Sequence, residues 1–156
     1  MFRFSLVYAV QNANHPLRQC IQKYASELNL NDFIPHVTVS HSLSFERATD
    51  LFNIFTEKYD VPEFRPLPSV KVTSTPLTTT NGKKIFFYAV EQSVLTNEQQ
   101  VLGMHVSLAY KIGEPFTHVE LETIQPYDGV IQAEDLTLCV HSCHSKSPSL
   151  WKRVSS

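Results

Sequence analysis

Pro35-His36-Val37-Thr38-Val39-Ser40 carries polar side chains at positions 36, 38 and 40 and valines at 37 and 39. A strand turns successive side chains to opposite sides, so the stretch reads as a β-strand with residues 36, 38 and 40 on one polar face and the valines on an apolar one. Met104-His105-Val106-Ser107-Leu108-Ala109-Tyr110 repeats the arrangement in the other half of the chain, with His105 and Ser107 on one side and Val106 and Leu108 on the other. A single histidine between valines is usually a half-buried structural side chain, and chance matches to a three-residue pattern are common. Two such strands are more telling, because their polar faces together supply an imidazole and a hydroxyl on each side of one groove.

Outward from these strands, local signals divide the rest of the chain. Phe2 to Val10 reads as a first strand. Asn14 stands where a helix cap is needed, Pro16 falls in the opening turn, and Leu17, Ile21, Tyr24 and Leu28 recur at helical spacing. Ser44 introduces a second helix with an apolar stripe of Phe45, Ala48, Phe52, Phe55 and Tyr59, ended by Pro62, Pro66 and Pro68. A strand over 70–74 leads through a threonine-rich turn at Asn81-Gly82 into a return strand over 85–90, the signature of a hairpin. Thr117-His118-Val119-Glu120 fits a capping box for a short third helix, and 130–141 supplies the closing strands. The order strand, helix, strand, helix, hairpin, strand, helix, two strands predicts an α+β fold, with one histidine tripeptide in each half.

With 156 residues, 42% of them apolar, the chain can fill one core but not two, so residues 1–156 are expected to form a single domain. Its formal charge of −2 is too little for the counterion release that holds long nucleic acids, which disfavours duplex DNA and points to a small nucleotide or short oligoribonucleotide. Cys20, Cys139 and Cys143 make an odd number without framework spacing, as expected of a chain in a reducing, cytoplasmic compartment. Arg3 and Ser5 interrupt the apolar start, unlike a signal peptide, and no stretch approaches the roughly 18 apolar residues of a membrane span. A monomer without a membrane partner is expected.

Breaking a phosphodiester near neutral pH requires one proton to be removed from the attacking oxygen and another to be given to the leaving oxygen. Imidazole, with an unperturbed pKa of about 6.5, can do either, so His36 and His105 can divide the two tasks. Thr38 and Ser107 are suited to donating hydrogen bonds to the non-bridging phosphate oxygens, where negative charge grows in the transition state. This scheme calls for no cofactor and no metal.

The residues just described resemble the 2H phosphoesterase superfamily, whose signature is two His-x-Thr/Ser motifs, and the resemblance spans nearly the whole sequence. Phe33-Ile34-Pro35-His36-Val37-Thr38-Val39 is similar to the first motif and its lead-in, and His105-Val106-Ser107-Leu108-Ala109-Tyr110 to the second. Leu136-Thr137-Leu138-Cys139 and Trp151-Lys152-Arg153-Val154 resemble the last strands of the plant-type cyclic nucleotide phosphodiesterases in that superfamily. The resemblance implies a bilobal fold, two antiparallel sheets facing a central cleft with helices outside. It implies catalytic His36 and His105, phosphate-binding Thr38 and Ser107, and substrate-binding Tyr110 and Trp151. Similar enzymes are proposed to use the second histidine as base and the first as acid, which would make His105 the base. The implied reaction is metal-independent opening of a 2',3'-cyclic phosphate or a similar small ribose cyclic phosphodiester. Two other readings share these residues: cleavage of 2'-5' oligoadenylate, as in viral and cellular relatives that dismantle an antiviral signal, and an inactive nucleotide-binding module. Two features depart from the pattern: 91–103 is short where many relatives place a helix, and Met104 stands where proline often precedes the histidine. Strict alternation from His105 also turns Tyr110 to the apolar face, so a bend in the strand is needed to aim it at the cleft.

Cys139, His141, Cys143 and His144 also cluster, but four ligands within six positions cannot readily surround one ion, and zinc modules draw on separated pairs. They are read as a closing strand and turn with polar residues facing solvent. His15, His41 and His118 fall outside the paired pattern and are read as structural or surface residues.

Overall fold

The computed structural model describes residues 3–96, 104–142 and the backbone of 152–155. Along them run β1 (Phe4–Ala9), α1 (Pro16–Glu27), β2 (His36–Leu43), α2 (Phe45–Lys58), β3 (Phe64–Thr78), β4 (Lys84–Thr96), β5 (His105–Ile112), α3 (His118–Thr123), a 3₁₀ turn (Ala133–Asp135), β6 (Thr137–Ser142) and β7 (Lys152–Ser155). The fold is α+β. Its strands form two antiparallel sheets, ordered β2-β1-β6-β7 and β3-β4-β5.

One apolar core runs beneath both sheets. Leu17, Ile21 and Tyr24, the helical stripe of α1, pack with Tyr8 and Val37 of the first sheet, with Val10 just past β1, and with Val90, Val94, Val106 and Leu108 of the second. A satellite cluster sets Ala48 of α2, with Leu51, Phe52 and Phe55 around it, against Leu6 and Val140. Burial of such side chains is the main favourable term in folding, at roughly 1.5–3 kcal/mol for each large aliphatic or aromatic residue. The core thereby decides which way every strand presents its alternate residues.

The ends of the elements follow local chemistry. Ser44 accepts a hydrogen bond from the Arg47 amide at the start of α2, and Thr117 and Glu120 make both arms of the capping box of α3. Gly82 takes φ +79° in the turn between β3 and β4, a left-handed conformation that glycine adopts without steric cost. The start of α1 corrects the expectation at Asn14: the cap is His15, whose Nδ1 accepts from the Leu17 amide at 3.0 Å. Nε2 of the same ring then carries the proton and faces Asp135 Oδ2 at 3.5 Å. The hairpin is longer than the alternating residues 70–74 and 85–90 indicated, and Pro66 and Pro68, read as ending α2, lie within β3. An edge strand tolerates proline because one side of its ladder is unpaired, and the register shifts between Pro66 and Val70. Among the described residues no helix is long and apolar enough to cross a membrane.

Gln92, fully buried on β4, ties this architecture together. Its Nε2 donates to Leu67 O at 2.6 Å and Tyr127 O at 2.7 Å, while its Oε1 accepts from the Tyr127 amide at 2.8 Å. Gln92→Leu keeps the volume but strands three backbone groups, and we expect it to destabilise the chain by about 2–4 kcal/mol. Urea unfolding checks this; an unchanged midpoint would show that water replaces the lost amide at no cost.

Candidate active site

Cross-strand partners share a face of a sheet, so the registers locate the polar side chains. In the first sheet His36 stands opposite Ala9 and Thr38 opposite Val7, while Cys139 and His141 stand opposite Val7 and Ser5. These residues occupy the face turned away from α1 and α2, because Leu6, Tyr8 and Val37 fill the helix side. A register shift between Leu6 and Val7 pairs Ser40 with Leu6. Ser40 therefore leaves the face that His36 and Thr38 keep, contrary to strict alternation.

His36 is half-buried, and its Nδ1 lies 2.9 Å from the carbonyl oxygen of Ile34. A carbonyl only accepts, so Nδ1 carries the proton and the neutral ring has its lone pair on Nε2. Burial lowers the pKa of His36 below the ordinary imidazole value; the Ile34 carbonyl opposes that shift and the positive charge of His105 reinforces it. The two imidazoles are thus close enough to act on each other, as the packing of β2 against β5 requires. A third ring, His141, is 3% exposed and meets His36 edge to face, with centroids 5.5 Å apart.

In the second sheet His105 pairs with Ser93, Ser107 with Glu91, and Glu91 with Lys71, so these five side chains share one face. Val106 and Gln92, partners across the same strands, fill the core side. Nε2 of His105 lies 3.1 Å from Oε2 of Glu91. Burial pushes the Glu91 carboxyl up, but the hydrogen bond and charge of His105, with Lys71 and the Thr73 hydroxyl, hold it below the usual carboxylate range. A carboxylate in contact favours the charged form of His105, whereas burial favours the neutral form of His36.

The bend that Tyr110 needs is present. The register of β4 and β5 shifts between Val90 and Glu91, leaving Leu108 as an extra residue, so Ala109 joins Val90 on the core side and Tyr110 pairs with Ala89 on the face of His105. There Tyr110 meets Phe33 at 4.5 Å and Phe87 at 5.0 Å between ring centroids. An aromatic wall thus adjoins the polar group. Trp151, also expected at the site, lies outside the described residues, as do Cys143 and His144.

His36, Thr38, His105 and Ser107 therefore all lie on the polar faces of the two strands that meet between the sheets. Sequence reasoning missed Glu91 and His141. Glu91 falls in the stretch marked only as short, and no local pattern links it to a histidine fourteen positions later. His141 was expected to face solvent with its polar neighbours, yet it is buried, because β6 is an interior strand of its sheet. His15 caps a helix, His41 bonds Ser42 at the surface, and His118 pairs with Glu122 one turn along α3. Among the described residues no group of three or more His, Cys, Asp and Glu is arranged to hold a metal ion. No protein-family model, curated protein or solved structure matches the chain.

The depressed pKa of His36 has a thermodynamic consequence. Since the folded pKa lies below the unfolded 6.5, the unfolded chain takes up this proton first as pH falls, so the His36 contribution to stability is full above 6.5 and declines below it. Glu91 adds loss in the same direction at more acid pH, below its ordinary 4.5. Relative to His36→Asn, the wild-type urea midpoint should fall as pH drops below 6.5, because the opposing His105 contribution is common to both chains. A slope unaltered in the variant would place its origin elsewhere.

Proposed function

We propose that the chain is a phosphodiesterase of the 2H type that opens 2',3'-cyclic phosphates or a similarly small ribose cyclic phosphodiester. The observation that carries this reading is the meeting of His36 and His105 on neighbouring polar strands, each with a hydroxyl two residues on. The two antiparallel sheets, with a histidine tripeptide on an outer or edge strand of each, agree with the bilobal architecture that the resemblance implies.

The chemistry follows from the protonation. Neutral His36 accepts a proton on Nε2 from an attacking water as the new phosphorus–oxygen bond forms. Protonated His105 gives its proton to the departing ribose oxygen as the ring bond to phosphorus breaks. The products are a ribose hydroxyl and a phosphate monoester, and one proton passed to solvent from His36 and one returned to His105 restore the site. Thr38 and Ser107 are suited to hold the non-bridging oxygens as charge grows there. Tyr110 and Phe87, backed by the buried Phe33, offer a surface on which a nucleobase can stack, a contact worth roughly 1–3 kcal/mol for one aromatic face. This direction, His36 as base and His105 as acid, reverses the one implied by similar enzymes, and the Glu91 pairing is the reason to prefer it.

Assays with chelator present, comparing 2',3'-cyclic nucleotides, ADP-ribose cyclic phosphate and 2'-5' oligoadenylate, should find turnover of the small cyclic substrates and a bell-shaped pH dependence of kcat/KM. His36→Ala and His105→Ala should each lose about 100- to 10,000-fold in kcat while keeping the fold. Turnover confined to oligoadenylate would transfer the site to that substrate class. Nucleotide binding without any turnover would identify a silent binding module.

A further inference from the structure

Glu91 is a charged side chain in direct contact with a catalytic candidate, and neither histidine tripeptide accounts for it. It stands opposite Ser107, and its Oε2 lies 3.1 Å from Nε2 of His105. Its side chain is only 16% exposed. Thr73 and Lys71 of β3 act on the same carboxylate from the far side, so it is held between an edge-strand cation and the imidazole. Among the described residues, the titratable groups that bear on His105 include Glu91, with Lys71 beyond it, on its own sheet, and His36, with His141 against it, on the other.

We infer that Glu91 is a positioning residue of the acid-base centre: by accepting the Nε2 proton of His105 in the empty site it keeps that ring charged, and so fixes His105 as the proton donor. The inference rests on the phosphodiesterase reading and adds to it the direction of proton flow. It also sets a cost. A leaving oxygen that takes the proton from Nε2 must take over the bond that Glu91 holds, and a phosphodiester anion must approach a carboxylate to do so. Glu91 therefore loads the acid at the expense of anion affinity, a combination that mere packing would not produce.

Glu91→Gln separates the two effects, since the amide keeps the shape and removes the charge. Loss of an adjacent opposite charge should lower the half-protonation pH of His105 by about one unit, read from the imidazole resonances by NMR without substrate. In turnover of a 2',3'-cyclic nucleotide, the basic limb of the pH profile should move down by about the same amount, so that kcat above it falls about tenfold. KM should fall rather than rise, because the phosphate meets no carboxylate. Glu91→Asp, which restores the charge, should recover part of the wild-type profile. An unmoved His105 titration, or a KM that rises with the limb unmoved, overturns the inference while leaving an active wild type as a phosphodiesterase. A wild type that cleaves none of the cyclic phosphates, with His105 still titrating lower in the variant, sinks the phosphodiesterase reading and the donor role with it.

Discussion

Val37 and Val106 are buried almost completely in the core beneath the two sheets, and everything at the candidate site depends on that burial. Because a strand alternates sides, sinking these valines against α1 and its neighbours leaves His36, Thr38, His105 and Ser107 facing the other way. Turning either strand over would drive an imidazole and a hydroxyl into the apolar core against α1 and take a valine out of it. The hydrophobic term that folds the chain is thus the one that orients its polar groups, without any dedicated orienting contact.

Once oriented, the imidazoles acquire different electrostatic surroundings. His36 lies against a backbone carbonyl, a buried third ring and the positive end of its counterpart, all within a half-buried setting that disfavours a second charge. His105 has a carboxylate in contact and a route to solvent, its side chain being 37% exposed. Two chemically identical groups are thereby made unequal by their neighbours, which is what an acid and a base working at one pH require.

Much of this was legible in the sequence wherever the determining interaction is local. The alternation around His36 and His105, the serine before α2, the capping box at Thr117 and the Asn-Gly turn each act within a few residues, and each led to the element observed. Tyr110 was harder: its direction depends on one extra residue at Leu108, and nothing in Leu108-Ala109 signals a bulge, because both side chains simply go into the core. Ser40 failed for the same reason on the opposite strand. Asn14 lost the cap to His15 because His15 also reaches Asp135, which is remote in sequence. Glu91 and His141 became visible only through strand pairing, which no spacing along the chain encodes.

Gln92 follows Glu91 directly, and the two side chains point to opposite sides of β4. The three hydrogen bonds that Gln92 makes to Leu67 and Tyr127 fasten the main chain immediately behind the carboxylate. Were an anion to enter, as the proposed reaction requires, the strand beneath Glu91 would have little freedom to retreat, and the carboxylate could yield only by torsion about its own side-chain bonds. Accommodation at this position is then a rotamer change, complete on the timescale of side-chain motion rather than that of a moving loop.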